Sequence, residues 1–251
     1  MKISIITVCL NSESTIRETI LSVLNQNYQD IEYIIIDGGS TDRTLDIIES
    51  FSEQISILVS EKDDGIYDAM NRGIRLASGD IIGIINSDDT YTDSNVISDI
   101  VKKFKNNNSI DIVYGNLNYV DRNNIFKIIR IWKSSAYTSN YFENGNVPPH
   151  PTLFVKSKVY INEGLYLDSF KYAADYEFML RVFKSNKYII LYYDRFLVSM
   201  KIGGASNVSL NNIFKANKEV LISWEINNYR LPFLFFPRKI LKRLFQYFVF
   251  K

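Results

Sequence analysis

The segment ISIITVCLNSESTIRETILSVLNQ, residues 3–26, followed by IEYIIIDGGSTDRTLDII, residues 31–48, decides the fold. Ile3–Cys9 is a short apolar and β-branched run, the character of a strand buried on both faces. Asn11 or Ser12 can cap a helix whose Ile16, Ile20, Val23 and Leu24 recur at helical spacing. Ile31–Asp37 is a second buried strand, Gly38-Gly39-Ser40 a turn, and Asp42–Phe51 a helix with Leu45, Ile48 and Phe51 inward. Ile55–Ser60, Ile66–Ala77 and Ile81–Ile85 continue as strand, helix and strand. This alternation predicts an α/β fold with a mostly parallel central sheet flanked by helices on both faces. Ligands of such sheets sit beyond the carboxyl ends of the strands. Asn11, Asp37, Asp63-Asp64 and Asn86–Asp89 each follow an apolar run, so they are expected to converge on one crevice.

The second half changes character. Asp111–Tyr119 and Ile125–Trp132 read as two strands joined by Asp121-Arg122-Asn123-Asn124, a hairpin. Three of the five prolines, Pro148, Pro149 and Pro151, surround His150. Ala174–Phe183 is helical, Tyr188–Ser199 a strand region, Gly203-Gly204-Ala205-Ser206 a mobile loop, and a helix runs from about Val208 to Asn227.

Composition narrows the chemistry. The 251 residues carry 29 Lys and Arg against 28 Asp and Glu, which gives no global case for nucleic-acid binding. A single cysteine, Cys9, excludes a disulfide scaffold, and a single histidine, His150, excludes a multi-histidine metal site. Any metal must therefore be held mostly by oxygen. There is no G-x-G-x-x-G after the first strand and no G-x-x-x-x-G-K-[ST], so neither a dinucleotide-binding dehydrogenase nor a P-loop NTPase is expected. A diphosphate can lie among the crevice carboxylates if a divalent cation, Mn²⁺ or Mg²⁺, bridges them, with Asp88 and Asp89 as its ligands.

Taken together and in order, these blocks resemble a family 2 glycosyltransferase of the GT-A, or nucleotide-diphospho-sugar transferase, fold, from the branch that builds bacterial O-antigen, capsule and other polysaccharides. SEKDDGIYDAMNRGIRLASGDIIGIINSDDTY, PPHPTLFVKSKVY, YAADYEFMLRVF and KIGGASN complete the match over roughly residues 2–206. The resemblance implies that Thr7, Cys9 and Asn11 line the nucleotide and that Asp37 bonds the base or ribose. It places Lys62 and Asp64 against the donor, with Asp68, Asn71 and Arg72 on a helix that buttresses it. Asn86-Ser87-Asp88 occupies the D-x-D position, with Asn86 where the pattern has an acid; Asp88 is then the main metal ligand and Asp89 its neighbour. Asp175 becomes the general base of an inverting transfer, Glu177 the second choice, and His150 and Lys201 donor-binding residues. The implied reaction moves one sugar from a UDP-hexose or UDP-N-acetylhexosamine to a growing, lipid-linked glycan.

Each residue also has a plainer reading. Asp37 suits a turn, Asp88-Asp89 and Asp175 suit caps, and Cys9 suits a small core residue. Two rival functions follow: a sugar-nucleotide nucleotidyltransferase, which would usually show a Gly-rich basic loop where TVCLNSES stands, and a non-catalytic glycan-binding module.

A GT-A domain over 1–206, with a nucleotide half to 105 and an acceptor half from 106, leaves a helical extension over 207–251. Residues 229–251 hold six basic side chains and no acid, so the remainder carries 23 basic against 28 acidic residues. On a helical wheel Arg238, Lys239, Lys242 and Arg243 oppose Ile240, Leu241, Leu244, Phe245 and Phe248. That pattern predicts an interfacial helix on an anionic membrane, or alternatively a helix packed on the domain or a partner chain. The N-terminus lacks the form of a signal peptide and no run is long enough to span a bilayer. The expected location is the cytoplasm, at the cytoplasmic face of the inner membrane.

Overall fold

The parallel half of the sheet is built on β1 (Ile3–Cys9), every residue of which is buried. It pairs in parallel with β2 (Ile31–Asp37) on one side and β4 (Ile81–Asn86) on the other, and β3 (Ile57–Ser60) extends the sheet beyond β2. The computed structural model describes residues 1–203 and 210–246. Gly204-Ala205-Ser206 of the expected mobile loop, the start of the helix expected from Val208, and Phe248 lie outside the described residues.

Beyond β4 the order runs β8 (Phe154–Lys156), β6 (Ile110–Val120), β9 (Ile189–Lys201) and β5 (Asp89–Tyr91). β8 is antiparallel to both β4 and β6, so β6 and the parallel-paired β9 point the same way as β1. The expected hairpin is present: β7 (Ile128–Trp132) pairs antiparallel with the far end of β6. One nine-stranded sheet thus runs through both halves of the chain.

Alternation along the strands sends side chains to two cores. Ile3, Ile5, Tyr33 and Ile35 meet α1 (Ile16–Leu24) and α4 (Val96–Asn106) on one face. Ile6, Val8, Ile34 and Ile36 meet α3 (Ile66–Leu76) and α6 (Ala174–Lys184) on the other. The remaining helices are α2 (Thr44–Glu49), α5 (Ser157–Glu163), α7 (Leu210–Ile226) and α8 (Phe235–Phe245). α2 is shorter than expected, because a 3-10 turn at Ser52–Gln54 takes up its end and delays β3 to Ile57. Among the described residues no helix is long and apolar enough to cross a membrane.

The amino ends of the strands are tied by one carboxylate. Glu32 accepts hydrogen bonds from Lys2 Nζ (2.6 Å), Ser4 Oγ (2.6 Å), Ser78 Oγ (2.6 Å) and the Ser78 amide (2.7 Å). Burial opposes its ionisation, but the bonds from Lys2, Ser4 and Ser78 prevail and bring its pKa from 4.5 to about 2. A depressed carboxylate stabilises the fold above its unfolded pKa and loses that contribution as pH falls through the folded one. Glu32→Gln is therefore expected to lower stability at neutral pH and to flatten the loss of stability between pH 4.5 and about 2, as read from urea unfolding at stepped pH.

Candidate active site

The carboxyl ends of β1 and β2 are locked to each other before any ligand arrives. Asn11 adopts a left-handed φ of 49°, which asparagine tolerates, and its Oδ1 accepts the Thr41 amide at 2.9 Å. Ser12 N donates to Thr44 Oγ1 at 2.7 Å, and Gly38 N to Cys9 O at 2.9 Å. Asp37 organises this turn from inside. It is fully buried, accepting the Gly39 and Ser40 amides (3.2 and 3.0 Å) and the hydroxyls of Ser40 and Ser60. Burial opposes its charge, yet the serine hydrogen bonds hold its pKa below the usual carboxylate range. Asp37 does not line the cleft, and neither does Thr7, whose hydroxyl pairs with Tyr33 OH.

The strand ends, the β6–β7 hairpin, the start of α6 and α8 enclose a cleft of about 990 Å³. Of the expected residues it brings together Cys9, Asn11, Asn86, Ser87, Asp88, His150, Asp175 and Lys201. The Cys9 thiol is kept protonated by burial and by Asp37, so it acts as wall and not as nucleophile. Asp63, whose Oδ1 accepts the Gly65 amide, faces the cleft in place of Lys62 and Asp64.

Asp175 occupies the first turn of α6, on the cleft wall. Its Oδ1 accepts Tyr67 OH at 2.8 Å and its Oδ2 lies 3.4 Å from His150 Nδ1. His150 Nε2 in turn lies 3.3 Å from Asn86 Nδ2. An amide nitrogen can only donate, so Nε2 is the acceptor and Nδ1 carries the proton toward Asp175. Burial lowers the His150 pKa, against the pull of Asp175 and Asp88, which favours this neutral imidazole. The start of α6 is held from behind: Glu219 on α7 accepts the amides of Lys171, Tyr172 and Ala173 at 2.8–2.9 Å. Neither Tyr67 nor Glu219 was singled out by sequence. Tyr67 stands in the GIYDAMN block that carried the resemblance, but Glu219 has no local signal at all.

The two adjacent acids after β4 face different ways. Asp88 lines the cleft; burial raises its pKa, only partly countered by its own backbone hydrogen bond and by Arg122, Lys201 and His150. Asp89, expected beside it as a metal ligand, is instead fully buried as the first residue of β5. Its Oδ2 accepts Asn86 Nδ2 at 3.3 Å, and burial together with the charge of Asp88 favours its protonated form. Asn86 Oδ1 and Asp89 Oδ1 are buried without a hydrogen-bond partner. A cleft carboxylate whose charge is disfavoured by burial, in the same strand end as the unpartnered Asn86 Oδ1, suits a divalent cation whose other ligands are phosphate and water. Among the described residues no group of three acidic, histidine or cysteine side chains could hold one alone.

The remaining expected residues lie off the cleft. Glu177 is buried in an ion pair with Arg181 (2.8 Å) and accepts Asn227 Nδ2 (3.1 Å), joining α6 to α7. Asn71 exchanges two hydrogen bonds with the Tyr166 backbone. Arg72 pairs with Asp68 at 2.9 Å and donates to the carbonyl of exposed Lys62. Asp64 and Asp68 border a separate cavity of about 280 Å³ with Asp168 and Lys171. The α3 residues thus brace the floor from outside.

Comparison with known proteins agrees with this architecture. The family model described as glycosyl transferase family 2 matches residues 4–158. The chain is 30% identical over 233 residues to an uncharacterized glycosyltransferase of Haemophilus influenzae, covering 90% of this chain and 87% of that one. It is 28% identical over 216 residues to a PGL/p-HBAD biosynthesis glycosyltransferase of Mycobacterium bovis, covering 84% and 81%. Among solved structures, S. aureus TarS 1-349 in complex with UDP-GlcNAc matches with a TM-score of 0.68 at 18% identity, over all of this chain and 74% of that one. The mannosyltransferase PcManGT of Pyrobaculum calidifontis, in complex with GDP-Man and Mn²⁺, matches with a TM-score of 0.66 at 15% identity, over 96% and 69%. With its fold, its strand-end cleft and more than half its length matched by the family model, the chain belongs to glycosyl transferase family 2.

Proposed function

We propose that the protein transfers one sugar, a hexose or N-acetylhexosamine, from a UDP-linked donor to a hydroxyl of a lipid-linked intermediate of a surface glycan, with inversion. The observation that carries this reading is Asp175, presented to the cleft by Tyr67 and His150 across from Asp88 and the strand ends. Two of the known structures that share the fold are in complex with UDP-GlcNAc and with GDP-Man, which supports a nucleotide-sugar donor.

Asp175 takes the proton of the acceptor hydroxyl as that oxygen forms its bond to the anomeric carbon. The bond from that carbon to the diphosphate oxygen breaks on the opposite side, and the nucleoside diphosphate leaves with the electron pair. Displacement with one base gives a β-linked product from an α-linked donor. Tyr67 donates to Oδ1 of Asp175 and the His150 imidazole lies 3.4 Å from its Oδ2, which together hold the carboxylate in place on the cleft wall. Asp88 would hold Mn²⁺ or Mg²⁺ against the donor, with Asn86 and Asp89 behind it. When bound, that ion stabilises the charge gathered on the leaving diphosphate. Arg122 and Lys201, whose charges reach Asp88, add positive potential on the same side. The tail contacts the membrane surface in this reading. Phe233 is 97% exposed, Leu241 and Leu244 are half-exposed, and Arg238 and Lys242 lie among them.

Asp175→Asn is expected to lower kcat by roughly 10²–10⁴-fold with UDP affinity unchanged. Unaltered turnover removes the base assignment, and an α-linked product in the NMR spectrum removes inversion. Tyr67→Phe, which loses one bond to that carboxylate, is expected to cost on the order of 10- to 100-fold in kcat at unchanged donor KM; a rise in donor KM alone would place Tyr67 on the donor instead. Calorimetry should show UDP binding with Mn²⁺ or Mg²⁺ that EDTA abolishes, and Asp88→Asn should make it indifferent to metal. Equal UDP binding in EDTA by the wild-type protein rules out metal bridging.

A further inference from the structure

The cleft contains more positive charge than one nucleotide diphosphate needs. Eight lysines and arginines line it against three aspartates, Asp63, Asp88 and Asp175. Arg122 and Lys201 act on Asp88, at the donor end; Lys201 is also paired with Glu18 at 2.6 Å, and Lys133 is paired with Asp194 at 3.3 Å. Lys239, Lys242 and Arg243 come from a different element, α8, which also lines the cleft.

We propose that Lys239, Lys242 and Arg243 form a second anion subsite, which holds the phosphate or diphosphate of an acceptor that is itself an anionic amphiphile. The proposal rests on the transferase reading above and names where its acceptor is gripped.

Three observations support it. First, Lys239 is partly buried between the rings of Tyr176 and Phe235, with its Nζ 5.8 and 6.0 Å from their centroids. It has no ion-pair partner among the described residues. Burial pulls its pKa to about 8, although Asp175 acts to raise it. A lysine in that setting is one that an anionic ligand would stabilise. Second, Lys239 packs over Tyr176, the residue next to Asp175, and Lys239 and Asp175 both line the cleft. A sugar esterified to phosphate carries its attacking hydroxyl and its first phosphate a single ring apart, which suits a base and a cation on neighbouring residues. Third, the subsite opens onto apolar surface. Ile240 and Phe245 line the cleft and yet are 60% and 59% exposed, and Leu241 and Leu244 continue the exposed apolar surface outward. A hydrocarbon chain attached to the phosphate can leave the cleft along that surface without crossing polar wall.

The test uses farnesyl diphosphate as the probe, titrated into the full chain in the presence of saturating UDP and Mg²⁺. Inorganic diphosphate and farnesol are the separate arms. The expected result is binding of farnesyl diphosphate alongside UDP, weaker binding of inorganic diphosphate and none of farnesol. Lys239→Gln should weaken farnesyl diphosphate at least tenfold, Lys239→Arg should restore it, and the Lys242→Gln/Arg243→Gln pair should weaken it without touching α8's buried anchor. UDP affinity should be the same in every variant. Displacement of UDP by the probe, equal loss of UDP affinity in Lys239→Gln, or undiminished probe binding in both glutamine variants overturns the subsite. Inorganic diphosphate binding as tightly as farnesyl diphosphate overturns the amphiphile. Absence of UDP binding in the wild-type protein counts against the donor reading, and the probe titration repeated without UDP still decides the subsite.

Discussion

One edge of β6 has to serve two strands, and the active site depends on how that is done. β8 pairs with Ile112 and Val113, and β7 pairs from Leu117 onward, so the backbone at Gly115–Asn116 has no strand beside it on that edge. A buried amide left there without a partner would cost about 1–3 kcal/mol. The Thr152 hydroxyl fills the gap, accepting the Gly115 amide at 3.2 Å and directing its one proton to the carbonyls of Pro149 (2.7 Å) and Gly115 (3.2 Å). Asn116 turns its side chain to the same task, with Oδ1 accepting the Ser134 amide at 2.8 Å. A side chain at Gly115 is excluded, since a Cβ there would stand 2.7 Å from the Arg195 carbonyl oxygen of the neighbouring strand. The Pro149–Thr152 turn is thereby fixed against the sheet, and His150 in that turn is delivered between Asn86 and Asp175. The bond that bridges the two halves of the chain is a consequence of strand bookkeeping.

The same geometry explains why chemically identical neighbours do different work. Asp88 and Asp89 differ by one backbone step at the end of β4. That step turns one carboxylate to the cleft and the other into the core beneath β5. Two ionised carboxylates so close would repel strongly at low dielectric, and burial resolves the conflict by favouring the proton on Asp89. Asn86 suits this arrangement. An amide there can donate to Asp89 and to His150 at once, whereas an acid of the D-x-D pattern would add a third negative charge.

β1, β2 and β4 were legible because their runs are almost wholly buried and end abruptly in polar residues; β1 and β2 match the sequence reading residue for residue, whereas the half-buried β3 starts two residues later than expected. β8 and β5, three residues each, carry no periodicity and exist only because neighbouring strands need partners. The site divides in the same way. Residues at strand ends, such as Asn11, Asn86 and Asp88, follow from topology, since the carboxyl end of a parallel strand has one place to face. Residues on helices do not: Asn71, Arg72 and Glu177 have the right chemistry, but rotation about the helix axis aims them into packing. Asp37 has the right position, but Ser40, Ser60 and two amides already claim both its oxygens.

The tail was legible as amphipathic and illegible as to its partner. The packing reading describes the first turn of α8, while the exposed apolar residues beyond it are those on which the proposed membrane contact rests. Phe235 is fully buried against Tyr176 and Trp224, which anchors the first turn. Arg238 donates to the Glu143 carbonyl and Gln246 accepts the Ile131 amide, which holds both ends. Between those ties Lys239 is partly buried over the cleft, Lys242 and Arg243 line the cleft while staying exposed, and Ile240, Leu241, Leu244 and Phe245 are half-exposed. An exposed apolar stripe gains nothing from water, and a half-buried lysine between aromatic rings gains nothing from its apolar walls. The proposed acceptor answers both at once, with an anionic head beneath Lys239 and a hydrocarbon chain along Ile240 and Leu244.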